Sequence, residues 1–310
     1  MPVCLVTGAI GFLGRHLIAA LKTRPTHFGR IVETGRTLPH ANESREFVPA
    51  DLTKTESIRG LLEAVSPDVI FHLAGKTPPG SAEDFYRANT LATALLFDVL
   101  RERGRPVRVV QVGSAAELGV VPDCDLPVGE DYPCRPTSAY GLSKWLCTQA
   151  GVVSQFPIEV IAARVFNPVG PGIPETQAIG SFATRLADPG ISVLKVGDLT
   201  VKRDFVDVRD VARALIALAQ QGHAGLVYHV GTGQSQTVQS GLDYFIGRSG
   251  RSIETISESI GGLGGRLNDS RADIMRIKKH TGWRPEIPWE QSLSEIWDEA
   301  VRRRGLPLTT

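Results

Sequence analysis

Cysteine, excess charge and long apolar runs are all scarce in this chain of 310 residues. The formal net charge is +1, whereas a nucleic-acid-binding surface needs a basic excess or a basic stripe, so no nucleic-acid partner is expected. No apolar run approaches the roughly 20 residues of a membrane helix, so no membrane span is expected. The first residues enter an apolar stretch with no basic segment before it, which predicts no secretory signal and a cytoplasmic location.

The cysteines also argue against metal binding. Cys4, Cys124, Cys134 and Cys147 have neither the C-x-x-C spacing nor a histidine at ligand spacing. We therefore expect reduced cytoplasmic thiols and no metal site, with a Cys124–Cys134 disulfide as the alternative. A chain of 310 residues is long enough for one large α/β domain or for two lobes with a substantial core.

A strand, a glycine-rich loop and a helix follow one another at the start of the chain. Residues 3–7 are apolar and partly β-branched, residues 8–14 read Gly-Ala-Ile-Gly-Phe-Leu-Gly, and residues 15–21 have helical periodicity. In such a loop the first glycine permits a tight turn, the second lets a pyrophosphate approach the backbone, and the third lets the helix pack on the strand. The pyrophosphate then faces the helix N-terminus. The pattern predicts a dinucleotide site at Gly8, Gly11 and Gly14.

The second predicted strand, residues 30–36, lies about 20 residues beyond the glycines, where the adenosine ribose of a dinucleotide is usually contacted. Glu33 offers an acceptor for a 2′-hydroxyl group, which would select NAD. Arg36, helped by Arg15, offers a guanidinium group for a 2′-phosphate, which would select NADP. We expect NADP(H), with NAD(H) as the alternative. Asp51, which ends the next apolar stretch, is expected at the adenine edge.

A tyrosine and a lysine stand four residues apart in a stretch with helical periodicity. On a helix, Tyr140 and Lys144 would be neighbours with their Cβ atoms about 5–6 Å apart. The ammonium group favours the phenolate form, so the tyrosine is suited to act as a general acid or base near neutral pH. Ser114 ends the apolar stretch 107–114, and parallel sheets bind ligands at the carboxyl ends of their strands. Ser114, Tyr140 and Lys144 are therefore the candidate catalytic residues.

The alternation of apolar stretches and helical segments predicts an α/β protein. We expect a Rossmann-like doubly wound parallel sheet with a smaller C-terminal α/β substrate-binding lobe. The dinucleotide-binding domain is predicted at residues 1–168 plus about 206–232, and the second lobe at about 169–205 plus 233–310. His72, in a predicted strand, is expected to be packed rather than catalytic. Helices are predicted at 57–65, 85–103, from Tyr140 onward, and at 211–220, 237–246, 271–281 and 290–303.

Several motifs spread over the chain together resemble the extended short-chain dehydrogenase/reductase family, the sugar-nucleotide epimerases, dehydratases and reductases. The matching segments are 7–14, Asp51-Leu52, 72–75, Asn89, Ser114, 140–144, 164–172, 203–210 and 282–285. The resemblance implies that Ser114 and Tyr140 bond the substrate oxygen, while Lys144 holds the nicotinamide ribose and tunes Tyr140. With these two helix residues, the expected dinucleotide contacts are Gly8, Ile10, Gly11, Phe12, Leu13, Gly14, Arg15, Arg36, Asp51, Leu52, Leu73, Ala74, Gly75, Asn89 and Val165.

The residue two positions after Ser114 narrows the choice among the reactions of this family. Dehydratases of the resembling family carry an acidic residue two positions after the catalytic hydroxyl group, and this chain has Ala116 there, so dehydration is not expected. Glu117 is expected to face a neighbouring helix or solvent. Segments 113–119, 196–198 and 280–285 are most similar to reductases of GDP-4-keto-6-deoxy-D-mannose, which form GDP-D-rhamnose or its C4 epimer.

Three positions depart from that subgroup. Gly113 replaces a serine, Leu118 replaces a tyrosine and His229 replaces an asparagine. The resemblance still implies an NAD(P)H-dependent reductase that delivers hydride to C4 of a 4-keto-6-deoxy nucleotide sugar, with a GDP-sugar favoured. A 4-epimerase of the same family and an NADP-binding regulator without turnover are the alternatives.

Substrate contacts are expected from Ser114, Ala115, Tyr140, Asn167, Arg203 and Arg271, with the two arginines on the nucleotide pyrophosphate. A homodimer is also implied by the resemblance, through helix 85–103 and the helix that begins near Tyr140. The apolar residues expected on that interface are Leu91, Ala94, Leu95 and Phe97.

Overall fold

The computed structural model describes residues 1–23, 28–38, 46–257 and 269–307. Within these residues the chain forms thirteen strands. They are β1 (Val3–Thr7), β2 (Arg30–Gly35), β3 (Glu46–Pro49), β4 (Val69–His72), β5 (Val107–Ser114), β6 (Ile158–Val165), β7 (Asn167–Val169), β8 (Val193–Val196), β9 (Lys202–Arg203), β10 (Phe205–Asp207), β11 (Val227–Val230), β12 (Gln236–Thr237) and β13 (Glu254–Ser257).

Ten α-helices alternate with these strands in the described residues. They are α1 (Phe12–Lys22), α2 (Thr55–Val65), α3 (Ala82–Phe85), α4 (Ala92–Arg103), α5 (Ala139–Val152), α6 (Ala178–Leu186), α7 (Val208–Gln221), α8 (Val238–Ser249), α9 (Met275–Thr281) and α10 (Trp289–Arg303). Among them, none combines the length and the apolar character that crossing a bilayer requires.

Seven parallel strands form the central sheet, in the order β11-β6-β5-β4-β1-β2-β3. The order reverses between β1 and β4, which is the point where such sheets open a ligand crevice at their carboxyl ends. Both faces are covered by helices, which is why a strand such as β4 is buried at every position. Helices α1 and α7 pack on one face, whereas α2 and α4 pack on the other. The predicted α/β class with a doubly wound parallel sheet is confirmed.

A second core lies outside the central sheet. Helices α6, α8 and α10 pack around buried apolar side chains that include Phe182, Leu242, Phe245, Leu293 and Trp297. The Phe245 and Trp297 rings are stacked with their centroids 6.1 Å apart. Strands β8 and β13 pair in parallel beside this core. This smaller α/β lobe faces the carboxyl ends of the sheet and forms the other wall of the cleft described below.

The predicted helix at 85–103 is interrupted in the structure. Helix α3 ends at Phe85, a π-helical turn follows at Tyr86–Leu91, and α4 begins at Ala92. The wider π-helical turn contains Asn89, whose side-chain amide is buried, with 1% of the residue exposed. A second difference concerns the predicted helix at 271–281, which begins only at Met275, because Ala272 forms a β-bridge with Val128.

All four cysteines are free thiols, so the alternative Cys124–Cys134 disulfide is wrong. Burial raises the pKa of Cys4, Cys134 and Cys147, which keeps these thiols protonated at neutral pH. In the described segments, no group of three or more His, Cys, Asp and Glu side chains is arranged to hold a metal ion.

Candidate active site

A cleft of about 990 Å³ opens between the carboxyl ends of the central strands and the second lobe. Ser114, which ends β5, lies on the sheet side together with Tyr140 and Lys144 from α5. The opposite wall includes Arg185 from α6 and Lys195 from β8. The fold thus brings the three candidate catalytic residues to one place, where a ligand can reach all of them.

The glycine loop owes its shape to two positions. Gly8 has a φ of +69°, and a Cβ there would lie 2.8 Å from the Ala74 backbone nitrogen. A Cβ at Gly14 would lie 2.3 Å from the Gly8 carbonyl oxygen, so any side chain would push α1 away from the loop. Helix α1 has neither a side-chain cap nor an acidic residue in its first turn. Its N-terminal N–H groups are therefore available to an anion such as a pyrophosphate.

His72 is a packed strand residue, as expected from the sequence. Its Nδ1 atom lies 2.9 Å from Thr7 Oγ1 and its Nε2 atom lies 3.0 Å from Thr93 Oγ1. Burial lowers its pKa to about 3, so the ring is neutral at neutral pH. Thr7 Oγ1 also accepts a hydrogen bond from the Ala74 N–H group at 3.1 Å. These bonds fix the turn that follows β4 against the glycine loop.

Asn89 fixes the next part of that turn. Its Oδ1 atom accepts from the Lys76 N–H group at 2.7 Å, and its Nδ2 group donates to the Lys76 carbonyl oxygen at 3.1 Å. The same Nδ2 group donates to Ser143 Oγ at 2.9 Å, and Ser143 Oγ donates to the Tyr140 carbonyl oxygen at 2.8 Å. Asn89 therefore couples the loop after β4 to the first turn of α5, and its side chain lies at the cleft.

The start of α5 presents Tyr140 and Lys144 to the cleft. Ser138 caps the helix, because its Oγ atom accepts from the Gly141 N–H group at 3.0 Å. Lys144 Nζ donates to the Val112 carbonyl oxygen at 2.6 Å, which ties the helix to the end of β5. The Tyr140 ring packs edge-on against Phe85 with the ring centroids 5.6 Å apart. This packing leaves the phenol partly exposed at the cleft.

Glu117 is fully buried and contacts α5, so of its two expected surroundings the neighbouring helix is confirmed and solvent is wrong. It accepts from Thr148 Oγ1 of α5 at 3.0 Å and from Arg164 Nε of β6 at 3.0 Å. Burial raises the pKa of Glu117, and the Arg164 guanidinium group and the Ser114 N–H group oppose that rise. Ala116, where the resemblance implies an acidic residue in dehydratases, lines the cleft.

Three of the predicted substrate contacts beyond the catalytic residues lie at the cleft, namely Ala115, Asn167 and Arg203. Burial lowers the pKa of Arg203, and Asp269 and Asp198 oppose that shift, so the guanidinium group is a partly desolvated cation. Arg271 is not part of the cleft lining. Its carbonyl oxygen accepts from the Val128 N–H group at 2.9 Å, and within the described residues its buried Nε atom has no hydrogen-bond partner.

The predicted dinucleotide contacts fall into two groups. Those that line the cleft, beside Tyr140 and Lys144, are Gly8, Gly11, Phe12, Leu13, Gly14, Leu73, Gly75, Asn89 and Val165. Those that lie outside the cleft lining are Ile10, Arg15, Arg36, Asp51, Leu52 and Ala74.

The second group includes Arg36 and Asp51, which follow β2 and β3, where the sequence predicts the adenosine end of the dinucleotide. Arg36 follows β2 directly and is exposed, whereas Glu33 is 1% exposed within that strand. The Asp51 Oδ1 atom accepts from the Thr53 N–H group at 3.0 Å and from Thr53 Oγ1 at 2.7 Å, and the latter contact is the first cause of its lowered pKa. Arg15 reaches toward Gly172, where a Cβ would lie 3.1 Å from its guanidinium group.

Several residues that line the cleft were not predicted from the sequence. Lys76 and Thr77 follow the turn after β4, and the rule that ligands bind beyond the carboxyl ends of parallel strands could have found them. Arg185 and Lys195 belong to the second lobe and reach the cleft only through tertiary packing. Nothing in their local sequence distinguishes them from other surface cations.

Comparisons with known proteins agree over most of the chain. The NAD dependent epimerase/dehydratase family matches residues 4–231. GDP-6-deoxy-D-mannose reductase of Pseudomonas aeruginosa is 32% identical over an alignment that covers 96% of this chain and 97% of the relative. The dTDP-6-deoxy-L-talose 4-dehydrogenase (NAD(P)(+)) of Kitasatospora kifunensis is 28% identical, with 94% of this chain and 93% of the relative covered.

Two solved structures extend the likeness to three dimensions. The structure of RMD from Pseudomonas aeruginosa complexed with NADPH has a TM-score of 0.81 at 28% identity and covers 97% of this chain and 99% of that chain. The structure of MoeE5 in complex with UDP-glucose and NAD has a TM-score of 0.83 at 28% identity, with the same two shares of 97% and 99%.

Proposed function

Because the chain belongs to the NAD dependent epimerase/dehydratase family, we propose that it is an NAD(P)H-dependent reductase of a 4-keto-6-deoxy nucleotide sugar, best matched by GDP-4-keto-6-deoxy-D-mannose. The resemblance seen in the sequence is thereby confirmed, and with it the class of NAD(P)-dependent oxidoreductases that act on nucleotide sugars. The observation that carries the finer proposal is the convergence of Ser114, Tyr140 and Lys144 on a cleft with Ala116 at the position of the dehydratase acid.

The proposed reduction needs a hydride for C4, a proton for the C4 oxygen and a positive charge beside the proton donor. NADPH held in the cleft would supply the hydride for C4. Tyr140 donates the proton that the developing C4 alkoxide needs, and the Ser114 hydroxyl group donates a hydrogen bond to the same oxygen. Lys144 keeps a positive charge close to the phenol and carries the ribose contact, held in place by its bond to the Val112 carbonyl oxygen. No acid at Ala116 is required, because reduction removes no water.

We propose NADP(H) as the preferred cofactor, with NAD(H) second. The exposed Arg36 is the better partner for a 2′-phosphate, and the nearly buried Glu33 offers little surface to a ribose. RMD of Pseudomonas aeruginosa was solved with NADPH, whereas MoeE5 was solved with NAD. In this proposal residues 1–168 and about 206–232 hold the dinucleotide, and about 169–205 and 233–310 hold the nucleotide sugar.

The direct test is NADPH oxidation, followed at 340 nm on the NADPH band, with 4-keto-6-deoxy sugars carried on GDP, dTDP, UDP and CDP. We expect the highest kcat/KM with the GDP-sugar and a lower one when NADH replaces NADPH. Thermal shifts with each nucleotide, with and without NADP, report binding independently of turnover. Absence of NADPH oxidation with every 4-keto sugar, together with nucleotide binding, would contradict the reductase and favour a regulator.

We further propose a homodimer in the cytoplasm. Leu91 is 45% exposed at the end of the π-helical turn, and Ala94 and Leu95 are half-buried on α4. Phe97, which was expected on the same face, is 2% exposed and packs inside the core, so it does not contribute to that surface. Light scattering should give twice the monomer mass of 33.5 kDa at micromolar concentration, and a monomer mass would refute the dimer.

A further inference from the structure

A buried polar network lies directly behind Ser114. Glu117 and His229 are 0% exposed, and Arg164 between them is 2% exposed. The Arg164 Nε group donates to Glu117 Oε2 at 3.0 Å, its Nη1 group donates to His229 Nε2 at 3.0 Å, and its Nη2 group donates to Cys134 Sγ at 3.2 Å. All three edges of the guanidinium group are therefore engaged inside the protein.

The second carboxylate oxygen of Glu117 connects two elements of the active site. Its Oε1 atom accepts from the Ser114 N–H group at 2.7 Å and from Thr148 Oγ1 at 3.0 Å. Thr148 lies one helical turn beyond Lys144 on α5, so it shares a face with the lysine. One oxygen atom thus holds the backbone of the candidate catalytic serine against the helix that carries Tyr140 and Lys144.

Gly113 makes room for this arrangement. A Cβ at Gly113 would lie 2.5 Å from Glu117 Oε1 and 3.1 Å from Thr148 Oγ1. Any side chain at this position would therefore collide with the carboxylate. The glycine and the buried glutamate fit each other, which indicates that the position of Glu117 is built into the end of β5.

His229 completes the network as a neutral group. Burial lowers its pKa to about 3, and the nearby Arg164 adds to the shift. Because Nε2 accepts from Arg164, the proton lies on Nδ1, which donates to the Val128 carbonyl oxygen at 3.1 Å. The His229 N–H group also donates to Glu130 Oε1 at 3.1 Å. The network therefore reaches the proline-rich loop at 119–137.

A buried ion pair is a costly way to stabilise a fold, since apolar residues of similar volume often serve as well or better. The Glu117–Arg164 pair also contacts the active site, because Glu117 accepts hydrogen bonds from the Ser114 N–H group and from Thr148 of α5. Glu117 itself is not part of the cleft lining. We propose that Glu117, held by Arg164, is a positioning residue that fixes Ser114 relative to α5, so that the Ser114 and Tyr140 hydroxyl groups converge on one substrate oxygen. The catalytic part of this inference rests on the proposed function.

The test replaces the pair as a unit, because removing one partner would leave a buried charge that can unfold the protein. In the Glu117→Leu/Arg164→Met variant we expect kcat to fall roughly 10–100-fold, as displaced catalytic groups do, with KM and the Kd for NADPH little changed. The Ser114→Ala change should cost much less in this background than in the wild type, because the serine is already misplaced. Equal costs in both backgrounds, or an unchanged kcat, would overturn the proposal.

A more exposed ion pair between β5 and β6 serves as the control. Arg108 of β5 and Glu159 of β6 form an ion pair of 2.9 Å at the other end of the β5–β6 ladder. The Arg108→Met/Glu159→Leu variant should keep the wild-type kcat and the full cost of Ser114→Ala. A loss of kcat in this control as large as in the test variant would show that the loss of either ion pair acts through stability alone, and would overturn the proposal.

A readout without turnover separates the positioning role from the proposed reaction. Hydrogen exchange of the Ser114 amide in the NADP-bound protein should be faster in the Glu117→Leu/Arg164→Met variant and unchanged in the control. Thr148→Val, which removes only the bond to α5, should lower kcat in the same direction and by less, even where the double variant does not fold. Unchanged Ser114 exchange overturns the positioning role. Faster exchange in a protein whose wild type reduces no 4-keto sugar supports the positioning role and contradicts the proposed reductase.

Discussion

The two walls of the cleft are specified in different ways. On the sheet side, the glycine loop depends on backbone geometry: Gly8 has a positive φ and Gly14 allows no Cβ beside the Gly8 carbonyl oxygen. On the side of the second lobe, the cleft is lined by Arg185, Lys195 and Arg203, which come from three separate elements. Backbone requirements restrict the residue type at neighbouring positions, so they can be recognised in a sequence. A wall built from side chains of distant elements cannot be recognised in this way.

Under the proposed function, the sheet side would carry the chemistry and the second lobe would determine the choice of substrate. The largest expected effect is therefore that of Tyr140→Phe, which removes the proton donor and keeps the ring on Phe85. The reduction rate should fall roughly 10²–10⁴-fold, the usual contribution of a positioned general acid, with NADPH affinity preserved. Single-turnover kinetics and NADPH fluorescence titration measure the two quantities.

Lys144→Ala is the matched comparison for that change. It removes both the charge beside the phenol and the ribose contact, so NADPH affinity should fall together with the rate. A Tyr140→Phe enzyme with near-normal reductase activity would show that this helix face serves packing. It would also contradict the proposal that the sheet side carries the chemistry.

Arg203→Ala probes the wall of the second lobe. A hydrogen bond to a charged group contributes about 1.5–3 kcal/mol, so KM for the nucleotide sugar should rise roughly 10–150-fold, with the Kd for NADPH unchanged. Arg271→Ala provides the contrast, because Arg271 does not line the cleft. Steady-state kinetics of both variants measure the difference. Equal increases of KM in the two variants would return Arg271 to the substrate site, and a loss of NADPH affinity in Arg203→Ala would contradict the separation of the walls.

Arg36→Ala sharpens the comparison within the sheet side, at its adenosine end. Arg36 is exposed, so its pairing with a 2′-phosphate is partly screened, and we expect the preference for NADPH over NADH to fall about tenfold. The ratio of kcat/KM for the two cofactors measures the effect. An unchanged ratio, or a wild type that prefers NADH, would make Glu33 the better candidate.

The smallest effect concerns the stability contributed by His229. Its folded-state pKa of about 3 lies below the ordinary value near 6.5, so between these values the unfolded chain binds a proton that the native protein does not. This contribution is complete above pH 6.5 and declines as the pH falls toward 3. His229→Asn keeps an acceptor for Arg164 but has no such proton.

The variant should consequently lose less stability on acidification, by about 1.4 kcal/mol per pH unit below pH 6. Urea unfolding at pH 7, 6 and 5 for both proteins measures this difference. Parallel losses of the free energy of unfolding would mean that His229 binds a proton in the folded protein as readily as in the unfolded chain.

The features that could be predicted from the sequence are those that depend on local spacing, as on the sheet side of the cleft. The glycine loop, the Tyr140–Lys144 pair and the strand end at Ser114 were predictable, because each depends on local spacing or on the order of elements. Asn89 was assigned to a regular helix, since the π-helical turn depends on its contacts with Lys76 and Ser143. The surroundings of Glu117 were missed for a similar reason, because Thr148 and Arg164 are distant in the sequence.

The central claim is that hydride moves from the cofactor to C4 of the sugar and stays there. Incubation with GDP-4-keto-6-deoxy-D-mannose and NADPH deuterated at C4 of the nicotinamide, on each face in turn, tests it directly. We predict one face that delivers deuterium to C4 of the product sugar, with one NADPH consumed for each product molecule. No NADPH consumption and no deuterated product with this sugar, together with interconversion of the C4 epimers of a 4-hydroxy nucleotide sugar without net NADPH consumption, would contradict the reductase and identify a 4-epimerase.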